Sequence, residues 1–418
     1  MTGVQTCALP ISNIEYMGSF NPVAAVVTLV VTTALSWVLK PKPKQPNIPS
    51  QQYESAQGIL VNKASNNESI SVVYGKRQVG IQKVFVESSG SNNDYLYVAG
   101  VLCEGGIQSI EEIYVNDKLV TWSGALTDGT LRTVNSSDTN FYKDESLISV
   151  QCFLGSDSQS VSSLLDESTN WGSNHKLSGV AYIAFKFKWN QDAFTGGVPE
   201  VRVTLKGRKV YDPRLDSTKG GSGSHRQNDS TTWAYSENPA LALLDYIRNE
   251  RFGKGLPTSA FETNYDSFKT AADSCDTQVT PYTSDTAISL FTTNIVIDTN
   301  EKLIDNVKEL LNPMRGIFTY TQGVYKLLVE GTGSSVMTID KDKIIGGIKI
   351  YGEKKNYKYN RVIGTFVNPN KNWQEDTVSF PPADDSGLPS ADQYATMLAE
   401  DNGTNLEGNF DFKGITNP

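Results

Sequence analysis

Cysteine and histidine are scarce in this chain of 418 residues: four cysteines (Cys7, Cys103, Cys152, Cys275) and two histidines (His175, His225). The cysteines lie far apart and form no CxxC pair, which excludes a structural zinc site and a dense disulfide framework. No GxxxxGK[ST] phosphate loop, no GxGxxG turn after a strand and no GxSxG elbow occurs. A basic excess is also missing, since 37 Lys+Arg face 46 Asp+Glu for a net charge of −9. A general nucleic-acid binder needs a basic face to displace counterions, so no specific nucleic-acid binding is expected. Asp384-Asp385 and Glu400-Asp401 lack the ladder spacing of a calcium loop and read as acidic surface. Neither a cofactor nor a metal is implied, and no catalytic residue emerges from these patterns.

What remains is a chain with 38% hydrophobic and 10% aromatic residues, too long for one core, so two or three domains are expected. Residues 1–11 (MTGVQTCALPI) have neither charge nor periodicity. They resemble a translated sequencing-adaptor oligonucleotide and are set aside as an artefact together with Cys7. Residues 12–50 hold an uncharged run, Val23–Leu39, followed by a linker with Pro41, Pro43, Pro46 and Pro49. The run is near the short limit for a bilayer span. It reads as a buried β-branched segment packing in an assembly, as a membrane-contacting one, or as a read-through artefact. Lys40–Lys44 follows it, so it is not an export signal for what comes after.

Strand patterns dominate residues 51–215. Ile70–Tyr74 leads into a turn at Gly75-Lys76-Arg77, and Val79–Val86 returns. Tyr95–Cys103 and Ile110–Val115 follow, the latter ending at an Asn116-Asp117 turn. Val180–Trp189 places Phe185, Phe187 and Trp189 opposite Lys186 and Lys188, and Val201, Val203 and Leu205 repeat the alternation. Such strands point to a barrel or a sandwich. His175 reads as structural or surface. Residues 216–232 contain almost nothing to bury and read as a flexible surface loop, with His225 solvated in it and Gly220–Gly223 a simple turn.

Residues 233–330 are the helical part. Asn238 caps a helix and Pro239 opens it. Leu241, Leu244 and Arg248, with Leu243 and Ile247, give an amphipathic spacing, and Gly253 is the stop signal. Asp245 and Glu250 lie too far round to face each other and read as a solvated face. A second helix is expected at Asn264–Cys275 with Tyr265, Phe268 and Ala272 on one face. A third starts at Asp298, where Glu301 has capping-box spacing. Strands return at Gly316–Tyr320 and Val324–Val329. In 331–380 they continue at Ile344–Tyr351 and Val362–Val367, and residues 381–418 begin a further region with a helix at Ala391–Ala399. The fold class is α+β, mostly β.

Several segments carry a resemblance. Trp233–Pro257 (WAYSENPALALLDYIRNERFGKGLP) resembles the signature of the lambda-type phage tail tip attachment proteins, the host specificity protein J family. In that family the run follows a segment similar to Gly207–Arg214, with Tyr211, Asp212 and Pro213, after a variable loop. Tyr74–Gly80, Tyr95–Val115, His175–Ile183 and Phe194–Pro199 resemble further blocks in the family's order, covering about 60–370. The residues singled out by the resemblance are structural: Tyr74, Gly75, Tyr211, Asp212, Pro213, Trp233, Asn238, Pro239, Leu244, Asp245, Gly253 and Gly255. Tyr211 and Trp233 are expected as buried anchors, Pro239 and Gly253 as helix limits, and Tyr74-Gly75 as a turn.

The resemblance implies β-barrel-like tail hub domains with an α/β insertion of about three helices. It implies a homotrimeric virion component at the tail tip, made in the host cytoplasm. Such a hub closes the tail tube, meets distal tail and tail-tip proteins, and serves host attachment and DNA ejection. Receptor contact would belong to a C-terminal part beyond Pro418, so the chain is expected to be a fragment. A secreted β-rich carbohydrate-active enzyme, with paired carboxylates and no other motif, is the alternative class. A membrane-anchored adhesin is disfavoured by the Lys40–Lys44 flank.

Overall fold

The computed structural model describes residues 69–417 apart from 195–196, 281–285, 332–336, 348, 350–357 and 382–388. The expectations for residues 1–50, including the 23–39 run, lie outside the described residues. So do Asp384-Asp385 and part of Ile344–Tyr351, whose described residues form no strand. The fold is α+β and mostly β.

Strands β1 to β5 are Val72–Tyr74, Lys76–Gly80, Gln82–Ser89, Tyr95–Glu104 and Ile107–Val115. Then come β6 (Lys118–Leu119), β7 (Leu131–Thr133), β8 (Ile148–Leu154), β9 (Val180–Lys188) and β10 (Val201–Val210). One antiparallel sheet has the order β3-β4-β9-β8-β7. A second contains β10, β5 and β6, with β2 also paired to β10 and the short β11 (Ala234–Tyr235) at the end of β10. The two sheets stack on one apolar core. Leu96, Val98, Ile183 and Phe185 contribute from one side, and Ile113, Val201, Val203 and Leu205 from the other.

Neither sheet closes on itself, so the barrel expectation gives way to a sandwich. The first sheet buries its outer face too, under Leu165 and Trp171, against Tyr97, Ala99, Phe153 and Tyr182. That second covering explains why Tyr95–Cys103 is apolar throughout instead of alternating. The return after Gly75 is broken: Lys76 to Gly80 pairs with β10, whereas Gln82 to Ser89 pairs with β4. The chain therefore crosses between sheets at buried Ile81. A register shift between Thr204 and Leu205 leaves Glu111 without a partner residue. Its carboxylate meets Lys76 at 2.6 Å and Lys206 at 3.1 Å.

The helical lobe holds α1 (Pro239–Arg248), α2 (Asp266–Cys275) and α3 (Leu303–Leu311). Two short pairs join it: β12 (Gln278–Val279) with β13 (Ile288–Ser289), and β14 (Ile295–Ile297) with β1. A hairpin of β15 (Gly316–Thr321) and β16 (Val324–Val329) completes it. As expected, Asn238 caps α1 by accepting from the Ala240 amide at 3.0 Å, with Pro239 in the first turn. The amphipathic reading of α1 does not hold. Every residue from Pro239 to Ile247 is buried, the pattern of a helix enclosed on all sides.

Nor does Gly253 end α1; the helix stops at Asn249, whose side chain accepts from the Arg251 and Phe252 amides. Gly253 serves close packing instead, because a Cβ there would lie 1.6 Å from the Tyr246 carbonyl oxygen. The third helix begins at Leu303, not Asp298. Asp298 accepts from the Asn300 amide and from Ser69 Oγ, both at 2.8 Å, closing a turn that keeps it out of the helix.

Strand β1 connects the two cores, with Val73 in the sandwich and Val72 and Tyr74 in the lobe. Strand β10 does likewise, running from Val201 in the first core to Val210 in the second. Beyond the lobe, β17 (Arg361–Asn368) pairs antiparallel with β18 (Gln374–Phe380) and parallel with β19 (Glu407–Asp411). Helix α4 (Pro389–Glu400) lies between β18 and β19 in sequence.

Candidate functional site

Where the two cores meet, three elements bring charge into the interior. Arg208 near the end of β10 donates through Nε to Asp245 Oδ2 at 3.0 Å, and its Nη2 lies 3.4 Å from Oδ1. The Tyr74 hydroxyl on β1 donates to the same Oδ2 at 2.6 Å. Arg208 Nη1 reaches the Glu104 carbonyl at 3.3 Å, and the guanidinium lies 4.9 Å from the Phe252 ring centre. At the rim, Arg251 Nε meets Glu104 Oε1 at 2.9 Å.

Both partners of the central pair are buried, with side chains 9% and 4% exposed. Burial opposes the Arg208 charge, yet Asp245 and Tyr74 more than offset it and hold the guanidinium more basic than usual. Burial, and then the Asp245 carboxylate, push the Tyr74 phenol well above its ordinary value. Burial also raises the Glu104 carboxyl, against the pull of Arg251 and Arg208. The expectation of a solvated Asp245 is thus overturned. Asp245 faces inward because all sides of α1 are enclosed, and Arg208 and Tyr74 supply the compensation a buried carboxylate requires.

A second polar centre lies in the segment read as a flexible, unburied loop. Asp216 is fully buried. It accepts from the Tyr211 hydroxyl at 2.7 Å, from the Thr218 amide at 2.8 Å and from Thr218 Oγ1 at 2.7 Å, and Arg226 Nη1 lies 3.2 Å away. Burial would raise this carboxyl, but the Thr218 and Tyr211 hydrogen bonds and the Arg226 charge hold it below the usual range. His225 is buried as well, not solvated, and its Nδ1 accepts from the Asp212 amide at 3.1 Å. Residues 216–232 are therefore strapped down by polar interactions, which replace the apolar residues the segment lacks.

The other residues singled out above take varied places. Asp212 caps the turn opened by Pro213, accepting from the Arg214 amide at 2.8 Å. Tyr211 is buried as expected. Trp233 is only half-buried, 6.3 Å from the Tyr211 ring, and its Nε1 donates to the Arg226 carbonyl at 2.9 Å. It packs against the lobe core while pinning the strap. Gly75 has φ +72°, and a Cβ there would come 2.2 Å from the Thr293 carbonyl oxygen, so glycine is required at this turn. Leu244 is buried in the lobe, and Gly255, with φ +66°, donates its amide to Asn249. Asn238 also donates through Nδ2 to the Ala272 carbonyl at 2.9 Å, tying α1 to α2.

The structure thus brings Tyr74 together with Asp245, and joins Tyr211 to the Asp212-Pro213 turn and Trp233. Arg208, Glu104, Asp216 and His225 were not anticipated. One signal was available: Asp245 is the single charge within Pro239–Ile247, and a lone acid in an apolar helix asks for a buried partner.

These arrangements are suited to tethering. Cys103, Cys152 and Cys275 are free and buried, and burial pushes each thiol up to about 12, away from nucleophile chemistry. His175 Nδ1 lies 2.8 Å from the Gly172 amide, which donates to it. No cluster of three or more His, Cys, Asp or Glu suited to a metal ion occurs among the described residues. No helix among them is long and apolar enough to cross a membrane. The class defined by this fold and site is a mostly β protein whose buried charges join elements.

No protein-family model matches the chain. Among characterised proteins it is similar to the baseplate hub protein pb3 of Escherichia phage T5, with 20% identity over 365 residues. That match takes in 74% of this chain and 37% of pb3, so the chain spans well under half of the relative's length. A chain of the virion of a native gene transfer agent particle superposes with a TM-score of 0.46 and 11% identity, covering 100% of this chain and 82% of that one. That likeness is too loose to fix fold or role.

Proposed function

We propose that this chain is a structural hub component of a bacteriophage tail tip, resident in the virion and without enzymatic activity. The distant relation to a phage baseplate hub protein carries the reading, because it extends over 365 aligned residues and not over one motif. The ordered blocks resembling the lambda-type tip attachment proteins support the finer version. In that version the chain is a homotrimer around the tail axis, made in the host cytoplasm. It closes the tube, meets distal tail and tail-tip proteins, and opens for DNA ejection. In the same version residues 23–39 contact tail partners or the host membrane.

The acids and histidines in the interior are occupied in structural pairs, as a scaffold requires: Asp245 with Arg208, Asp216 with Tyr211, and His225 with the Asp212 amide. The test is immunogold electron microscopy of the phage that encodes the chain, with serum raised against the full chain. Label at the distal end of the tail is expected, and virions free of the chain by mass spectrometry would overturn the reading. Light scattering of the full chain tests the trimer separately.

A further inference from the structure

A second buried arginine has no counterpart to Asp245. Arg77 lies on β2 in register with Leu205 of β10 and is 5% exposed. Its Nη1 has no hydrogen-bond partner, and no carboxylate among the described residues forms an ion pair with it. Val79 on the same strand and Leu205 beside it are both buried and apolar. Burial lowers the guanidinium to about 10.

The group facing it is the indole of Trp373, whose ring centre is 5.9 Å from the Arg77 guanidinium carbon. Trp373 sits in the turn between β17 and β18. Asn372 and Trp373 are successive residues with positive φ, 54° and 60°. Asn372 adopts this left-handed region readily and Trp373 does not, so the turn carries the indole over the arginine at a residue that rarely takes this backbone conformation. A cation–π interaction offsets only part of the desolvation of a guanidinium.

We propose that Arg77 is a recessed acceptor for one carboxylate side chain of a partner polypeptide, with Trp373 as the removable cover. The guanidinium fork matches a carboxylate in a bidentate pair. One isolated positive charge in an apolar surround neutralises one negative charge. A phosphate dianion would be left half-compensated there. The proposal stands independently of the hub reading.

The test is thermal unfolding of the full chain and of Arg77→Met, Arg77→Lys and Trp373→Ala, in sodium acetate against sodium chloride of equal ionic strength. Arg77→Met is expected to melt higher than the parent chain, because an unpaired buried charge has gone. Acetate is expected to raise the melting temperature of Trp373→Ala more than chloride does. That response should persist in part with Trp373→Ala combined with Arg77→Lys and vanish with Arg77→Met. A lower melting temperature for Arg77→Met, or equal responses to acetate and chloride in Trp373→Ala, would overturn the proposal. Inorganic phosphate stabilising as well as acetate would overturn the assignment to a carboxylate.

Discussion

The sandwich and the helical lobe hold themselves together by different means. The core shared by the two large sheets is built from Val, Ile, Leu and Phe presented from both sides. The lobe buries Asp245 against Arg208 and Tyr74, Asp216 against Tyr211, and Asn306 against the Tyr246 hydroxyl at 2.9 Å. Trimming an apolar side chain in a sheet costs what the missing atoms contributed. Removing a polar partner in the lobe strands a charge or a donor in a dry place, which costs more than the bond was worth. Single substitutions should therefore divide by region.

The largest effect is expected at Asp245. Asp245→Ala leaves the Arg208 guanidinium and the Tyr74 hydroxyl unpaired inside, at a cost of about 3–5 kcal/mol in urea unfolding. Arg208→Met with Asp245→Leu and Tyr74→Phe should recover most of that loss, since matched apolar replacement of a buried pair is near neutral. A triple variant as unstable as Asp245→Ala would mean that α1 depends on the charges themselves.

This division also explains what could be read from the sequence. Alternation in Val180–Trp189 and Val201–Leu205 gives strand and facing together, because period two leaves one arrangement that buries the apolar set. The Asn238-Pro239 start was legible because its chemistry is local. Asp245, Asp216 and His225 were misread because their burial depends on partners outside the local pattern: Asp245 meets Arg208, 37 residues away, and Tyr74, 171 residues away. Composition also misled in 216–232, where few apolar residues suggested mobility while Asp216 draws Tyr211, Thr218 and Arg226 around itself. The crossing at Ile81 was hidden because Val79–Val86 shows one continuous pattern whichever sheet it joins.

Asp216→Ala comes next, at about 1–3 kcal/mol, since the Tyr211 hydroxyl and the Thr218 amide lose their acceptor. The sign of its pH dependence follows from the lowered carboxyl. The stabilisation is complete above about pH 4, where an unfolded aspartate is ionised, and fades as pH falls toward the lower folded value. Asp216→Asn should abolish that part of the acid dependence. An unchanged acid limb in urea unfolding of Asp216→Asn would mean that the strap is not anchored through this charge.

A titrating group of opposite charge lies in the sandwich. Lys83 donates to the Pro199 carbonyl at 3.2 Å, and burial, opposed by Glu200, lowers its ammonium to about 8. A folded state that releases this proton earlier than the unfolded chain gains stability as pH rises from about 8 toward about 10.4. The gain should be about 1–2 kcal/mol after allowance for partial exposure. Lys83→Met should be more stable at pH 7 and lack the rise between pH 8 and 9.5. A parallel rise in both proteins would remove Lys83 as its source.

The smallest effect tests the apolar side of the division most directly. Ile183 is fully buried between Gly100 of β4 and Cys152 of β8. Ile183→Val removes one methylene and leaves no polar group behind, so the cost should be about 1 kcal/mol, within the usual 0.5–1.5. The pH profile should keep its shape, because no titrating group changes its surroundings. In a double variant with Asp245→Ala the two losses should add, since Ile183 lies in the sandwich core and Asp245 in the junction, with no partner in common. Non-additivity beyond about 0.5 kcal/mol would show the two cores responding as one unit through β1 and β10, the strands they share, and would replace two separately held regions with one cooperative body.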